Sequence, residues 1–88
     1  MLESTLEKRL VQRVQDLGGM AMKWVSPSMA GVPDRIVFLP GGRVILVEMK
    51  RPGGSTTALQ NRIHDLLRRL GQDVRVIDSK EAVDAFPG

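Results

Sequence analysis

Two acidic residues and one lysine are spaced along the chain in a way that could support metal-dependent phosphodiester hydrolysis. Asp34 follows Pro33, and Glu48 and Lys50 end an apolar run, with 13 residues between the two acids. Neighbouring carboxylates repel each other unless a cation compensates, and Mg²⁺ does so while polarising a phosphoryl oxygen and lowering the pKa of a bound water. Lys50 could orient that water or stabilise developing negative charge.

The segments that carry these residues have the pattern of a β-hairpin. Residues 35–39 and 43–49 are rich in β-branched side chains, and the sequence Pro-Gly-Gly at 40–42 separates them. A short glycine-containing loop between two such segments is typical of a hairpin. We therefore expect the two strands to pair antiparallel.

The hairpin register decides whether the acids meet. If Leu39 opposes Arg43, the numbers of opposed residues sum to 82, and Asp34 lies across from Glu48. Opposed Cβ atoms lie roughly 4.5–5.5 Å apart, so both carboxylates could reach one hard cation. A bulge at the turn glycines would shift this register by one. Lys50 shares the face of Glu48 in either register, because side chains alternate along a strand.

The same charges have a simpler interpretation. Glu48 and Lys50 could form an ion pair at a solvated strand end, as charged strand residues often do. From these residues alone, both interpretations stay open.

Composition limits the kind of metal site and the class of protein. The 88 residues suffice for one domain, which we place at 1–88, and the formal net charge of +3 indicates a mild preference for a polyanionic partner. With no cysteine and a single histidine, a metal must be held by oxygen, which favours Mg²⁺ or Mn²⁺. No segment resembles a signal peptide or a membrane span, so we expect a soluble, intracellular (cytoplasmic) protein.

A first helix is predicted over residues 4–17. Ser4 and Glu7 match a capping box, and Gly18-Gly19 follows the helix. Glu7 also falls within the apolar sector of the helical wheel. Its carboxylate could therefore fold back on the cap, or serve as a third acid directed at Asp34 and Glu48.

A second helix is predicted over residues 57–70, and it offers one more candidate. Gln60 has capping-box spacing with Thr57, so a structural role competes with a catalytic one. His64 lies off the predicted apolar stripe and is interpreted as a surface residue. The residues predicted to be buried are Leu59, Ile63, Leu66, Leu67 and Leu70.

The remaining elements complete an α/β domain. Residues 20–25 and 73–77 have strand patterns, and Ser79 is predicted to cap a short final helix over residues 80–86. The core order is α-β-β-β-α-β. This order places the acid-bearing hairpin at the centre of a mixed sheet flanked by helices.

The ordered set of these features resembles the PD-(D/E)XK nuclease superfamily, and within it the VRR-NUC (virus-type replication-repair nuclease) family. The residues that carry the resemblance are Glu7, Gly31-Val-Pro-Asp34, Val47-Glu-Met-Lys50 and Gln60. The resemblance implies a restriction-endonuclease-like core that hydrolyses DNA phosphodiesters with Mg²⁺ or Mn²⁺.

The resemblance also implies individual roles. Asp34 and Glu48 would bind the cation, the Met49 carbonyl would complete its coordination, and Lys50 would act on the attacking water. Glu7 and Gln60 match the remaining catalytic positions of the family.

Stand-alone family members of this size, from phages and bacteria, also lack accessory domains and are known as homodimers that act on branched DNA. The resemblance therefore implies a homodimer that acts on branched DNA such as four-way (Holliday) junctions. A two-fold dimer would present two sites to two related strands. We expect Lys23, Arg51 and Arg62 to contact DNA phosphates, although Lys23 and Arg62 could be merely solvated. A non-catalytic DNA-binding module and a nuclease for simple duplex DNA are the alternatives.

Overall fold

Three helices flank a four-stranded sheet in the computed structural model, which describes residues 2–88. The elements in chain order are α1 (Glu3–Asp16), β1 (Met20–Lys23), β2 (Arg35–Leu39), β3 (Arg43–Met49), α2 (Ala58–Arg69), β4 (Val74–Ile77) and α3 (Lys80–Ala85). The predicted α-β-β-β-α-β order is confirmed, and α3 follows it.

The sheet is mixed, with strand order β1-β2-β3-β4. The β1–β2 and β2–β3 pairs are antiparallel, whereas β3 and β4 run parallel. Arg35 pairs with Val47 and Leu39 pairs with Arg43, so opposed residue numbers sum to 82. The predicted hairpin register is therefore confirmed without a shift at the turn.

Side-chain alternation divides the sheet into two faces. We call the side that α1 packs against the α1 face. It forms the main core, whose buried members are Leu6, Leu10, Val14, Val37, Ile45, Val47, Met49, Ile77, Val83 and Phe86. The opposite side, which we call the α2 face, carries Glu48, because Glu48 lies between Val47 and Met49 on β3.

Helix α1 begins one residue earlier than predicted and lacks the predicted capping box. Leu2 occupies the N-cap position without a side-chain hydrogen bond, and Ser4 lies inside the helix. Glu7 instead accepts a hydrogen bond from Arg35 Nε at 3.0 Å. The predicted box is wrong because a charged partner on β2 holds the Glu7 carboxylate, which therefore cannot fold back on the cap.

Helix α2 begins with the predicted capping box. Thr57 accepts a hydrogen bond from the Gln60 backbone N–H, and the Gln60 side chain accepts one from the Thr57 N–H at 3.0 Å. Ser79 caps α3 in the same way, by accepting from the Ala82 N–H at 3.1 Å. Both of these caps are confirmed.

The predicted buried stripe of α2 is only partly correct. Ile63 is buried and Leu67 is half-buried, but Leu59, Leu66 and Leu70 are 48%, 43% and 77% exposed. One side of α2 meets the sheet, and apolar periodicity does not distinguish that side from a second apolar stripe that faces outward. Among residues 2–88, no helix has the length and apolar character needed to cross a bilayer.

Candidate active site

Asp34 is held in place by both neighbouring strands. Its backbone carbonyl accepts a hydrogen bond from the Trp24 N–H at 2.8 Å, just beyond β1. Its side-chain Oδ2 accepts from the Met49 N–H at 2.8 Å, at the end of β3. The Asp34 carboxylate is therefore fixed beside Glu48, the residue before Met49.

The loop that leads to Asp34 packs closely on α2. Gly31 has φ +90°, and a Cβ there would lie 3.0 Å from Ile63 Cγ1 and 3.1 Å from the Leu59 carbonyl oxygen. Glycine meets both requirements, since it tolerates positive φ and has no Cβ. Gly31 thus allows this loop to lie against α2 as the chain enters the site.

Glu48 is the most buried acid of the site, with 2% of its side chain exposed. Desolvation, a hydrogen bond to the Asp34 carboxyl and the charge of Asp34 raise the pKa of Glu48 to about 8, and the charge of Glu3 adds to this increase. Lys50 opposes the shift, with its Nζ 4.0 Å from Glu48 Oε2. The two acids are thus direct neighbours, and Lys50 lies on the same side of the strand.

This arrangement suits a hard divalent cation. Glu48 Oε1 is buried without a hydrogen-bond partner among residues 2–88, and Lys50 Nζ lies 4.0 Å from Oε2, beyond hydrogen-bond distance, so both carboxylate oxygens can still accept a ligand or donor. In that same part of the chain, no three His, Cys, Asp or Glu side chains cluster closely enough to hold a metal by themselves. Mg²⁺ is commonly bound by one or two carboxylates, with waters and substrate phosphates as the other ligands. The donor set therefore fits Mg²⁺ or Mn²⁺, with two protein carboxylates as its basis.

His64 is part of the site, contrary to the surface position predicted for it. Its side chain is 1% exposed, and its Nε2 lies 3.4 Å from Glu48 Oε1. Burial, with the charge of Arg68 as the next contribution, lowers the pKa of His64 below its ordinary value. The prediction is wrong because α2 meets the sheet through the side that carries Gln60, Ile63 and His64. Gln60 and His64 are four residues apart and therefore lie on the same side of a helix. This spacing is the sequence feature that could have indicated the position of His64.

The structure does not bring Glu7 to the acidic pair. Its carboxylate is bound by Arg35, which also donates to the Ala21 carbonyl at 3.0 Å. Arg35 opposes Val47 in the sheet and so points to the α1 face, away from Glu48. Glu7 is therefore held on the α1 face by an ion pair.

The side-chain oxygen of Gln60 is already engaged by the cap of α2. It accepts from the Thr57 N–H, and Gln60 is half-buried. The predicted capping box is thus confirmed for Gln60, and its catalytic role stays a prediction.

Glu3 is the acid of α1 that sequence reasoning missed. It is exposed in the first turn of α1, and its charge contributes to the raised pKa of Glu48. A groove of about 310 Å³ lies between it and the strand end, lined by Glu3, Lys50, Arg51, Gly53, Gly54 and Ser55. The signal that could have found Glu3 is its position four residues before Glu7, on the same side of the helix.

The three basic residues predicted to contact DNA lie in three different places. Arg51 lines the groove beside Lys50. Lys23 is exposed and lines a separate groove of about 460 Å³ together with Glu7 and Arg35. Arg62 lies on α2, in a third groove that it shares with Asp65, Leu66 and Arg69. Arg51 is therefore the member of this set that lies next to Lys50.

The fold and site together define a class of protein: a small α/β domain whose central hairpin presents a carboxylate pair and a lysine at one end. Comparison with known proteins agrees with this class. The family model of the VRR-NUC domain matches residues 2–81. The chain belongs to the VRR-NUC family.

Two individual proteins illustrate the similarity. The chain is 47% identical over 85 residues to a protein named "Putative nuclease p44" from Acyrthosiphon pisum secondary endosymbiont phage 1, a match covering 97% of this chain and 91% of that protein. It is also similar to a solved structure described as a VRR_NUC domain. That structure has a TM-score of 0.88 and 32% identity, and the match covers 93% of this chain and 89% of the other.

Proposed function

We propose that this protein is a Mg²⁺- or Mn²⁺-dependent DNA endonuclease. The observation that supports this proposal most directly is the contact between Asp34 and Glu48, where burial and like charge raise the pKa of Glu48 to about 8. Such a pair is stabilised by a divalent cation. Family membership and the name of the phage relative support the same activity.

Each residue of the site has a proposed task. Asp34 and Glu48 hold the cation, and the Met49 backbone carbonyl is a further oxygen ligand. A bound Mg²⁺ supplies polarisation of the phosphoryl oxygen and a lower pKa for water. Lys50, whose Nζ lies 4.0 Å from Glu48 Oε2, orients the attacking water and stabilises negative charge that develops on the phosphate.

We propose that the substrate is branched DNA, such as a four-way junction. A chain of 88 residues covers little of a branched duplex, whereas a two-fold dimer would offer two sites to two strands. Contacts would be mainly to phosphates, with Arg51 beside the site as the first candidate and Lys23 and Arg62 farther away. Affinity should therefore decrease steeply with salt.

We propose the outer surface of α2 as the dimer interface. We define this α2 surface as Met29, Leu59, Leu66 and Leu70, which are between 43% and 77% exposed. A groove of about 340 Å³ lies within it, lined by Met29, Ile63, Leu66, Leu67, Arg69 and Leu70. Exposed apolar side chains beside an apolar groove can complement a second copy of themselves across a two-fold axis.

Cleavage assays on labelled linear duplex, flap and four-way junction DNA test the proposed activity. We expect metal-dependent cleavage that favours the junction, and a decrease of at least about 100-fold in Asp34→Asn and in Glu48→Gln. Junction binding should survive in both variants. Glu81→Gln, which alters an exposed acid on α3, is the matched control and should cleave normally.

Each contrary result has a distinct meaning. Cleavage by purified Asp34→Asn at the wild-type rate would refute the proposed site. Binding without product at any Mn²⁺ concentration would favour a DNA-binding module, and equal rates on all three substrates would contradict junction selectivity.

A further inference from the structure

The buried contact between His64 and Glu48 has no part in the function proposed above. His64 lies on the side of α2 that faces the sheet, and Glu48 points from β3 toward that helix. The His64 Nε2 and Glu48 Oε1 atoms are 3.4 Å apart, with side chains 1% and 2% exposed. The two side chains are thus buried against each other between α2 and the sheet.

Neither of these two atoms has a hydrogen-bond partner within residues 2–88. Buried polar atoms in folded proteins are nearly always paired, so two facing atoms without partners require an explanation. Their separation exceeds the 2.7–3.2 Å typical of an N–H···O hydrogen bond by only a few tenths of an ångström. A small shift of either side chain would convert this contact into a hydrogen bond.

The two oxygens of Glu48 face different groups. Oε2 lies on the side of Lys50, with the Nζ atom 4.0 Å away, whereas Oε1 faces His64. A donor at Oε1 would hold the plane of the carboxylate and leave Oε2 for other ligands. Hydrogen bonds of this kind to a metal-binding carboxylate orient it, and their loss typically weakens metal binding.

We propose that His64 is a positioning residue for the cation site, donating its Nε2–H to Glu48 Oε1 once Glu48 binds a divalent cation. This inference rests on the function proposed above, since it requires a cation at Asp34 and Glu48. His64 does not itself touch the cation. Its role is to fix the carboxylate that does.

Direct Mn²⁺ binding to the metal-free protein, measured by calorimetry, tests this role without using cleavage. His64→Phe retains a ring but removes the donor, His64→Leu removes the donor with a smaller side chain, and His64→Gln retains an N–H donor. We expect Mn²⁺ affinity to decrease about 10-fold in the Phe and Leu variants and to stay within about threefold of wild type in the Gln variant. Urea unfolding of the metal-free proteins should not reproduce this order.

A second measurement separates positioning from direct coordination. Pulsed electron paramagnetic resonance of bound Mn²⁺ should show no directly coordinated imidazole nitrogen in the wild-type protein. A coordinated nitrogen would overturn the proposal, and so would equal weakening in the Gln and Phe variants. Wild-type affinity in both donor-free variants would overturn it as well.

A failure of the proposed function would give a different result from a failure of the proposed role of His64. If the wild-type protein binds no Mn²⁺, the cation site itself is refuted, and the role of His64 is refuted with it. If the wild type binds Mn²⁺ and the donor-free variants bind equally well, only the role of His64 is refuted.

Discussion

Glu48 combines burial with a neighbour of like charge, and this combination explains most of the chemistry proposed for the site. Its side chain is 2% exposed, and Asp34 lies within hydrogen-bond reach. The ionised form of Glu48 is therefore unfavourable in the metal-free protein. Because its pKa is about 8, Glu48 keeps its proton at neutral pH. A cation would take the place of that proton, so cation binding should release protons at neutral pH.

At the residue scale, we predict that the stability of the metal-free protein decreases as pH rises. The ordinary pKa of 4.5 applies to Glu48 in the unfolded chain, against about 8 in the folded protein. Between these values the folded state binds more protons, so the free energy of unfolding decreases with pH and levels off above about 8. We expect a loss greater than about 1.4 kcal/mol, the equivalent of one pKa unit. Urea unfolding in EDTA at several pH values measures it.

Glu48→Gln is the matched control for this pH dependence. Glutamine resembles the protonated acid and cannot ionise, so the difference between wild type and variant isolates the contribution of Glu48. Saturating Mg²⁺ should restore the stability of the wild type at high pH, and it should not stabilise the variant, which lacks the Glu48 carboxylate. Parallel pH curves for the two proteins would show that Glu48 does not carry the raised pKa.

At the scale of the elements, the two helices that border the site begin differently although their sequences look alike. Ser4 with Glu7 and Thr57 with Gln60 both have capping-box spacing, but only the second pair forms the box. The difference lies in the partners available across the fold. Arg35 binds Glu7, whereas Gln60 is free to bond its own N-cap.

We therefore predict that Thr57→Ala decreases the free energy of unfolding by about 1 kcal/mol, because a lost N-cap exposes unbonded helix N–H groups. Ser4→Ala is the matched control. Ser4 is exposed inside α1, where alanine is the better helix former, so this variant should be as stable as wild type or slightly more stable. Urea unfolding of the two variants measures both effects. A larger loss in the Ser4 variant would contradict the observed start of α1.

The whole molecule leaves apolar side chains uncovered in two places, on the outer side of α2 and on the α2 face of the sheet, where Met20, Met22, Phe38 and Val44 are 37% to 57% exposed. The α1 face of the sheet is closed by α1 and α3, but α2 buries only one of its two apolar stripes. A small domain buries a modest share of its surface, so association through the α2 surface would add both stability and a second site.

At this scale, we predict that Leu66→Glu converts a dimer into a monomer, because it places a charge within the α2 surface. Sedimentation should show the mass falling from twice the 9.7 kDa of the chain to once that value. Phe38→Lys is the matched control, since Phe38 and Leu66 are each 43% exposed. Dissociation by the Phe38 variant alone would move the interface to the sheet.

The features that could be predicted from the sequence are local. The hairpin register, the helix order and the caps at Thr57 and Ser79 depend on residues only a few positions apart, whose turn geometry and hydrogen bonds allow few alternatives. The meeting of Asp34 with Glu48 follows from that register, which is why the central part of the site could be predicted.

The contacts between elements, by contrast, depend on the packing of the whole fold. The sequence predicts His64 at the surface and leaves Glu7 open between its own cap and the acidic pair, yet His64 faces Glu48 and Glu7 binds Arg35. Each outcome depends on how far a helix is rotated over the sheet. That rotation is set by the packing of the whole core, and a shift of one residue along a helix turns a side chain by about 100°. No pattern within a single helix contains this information.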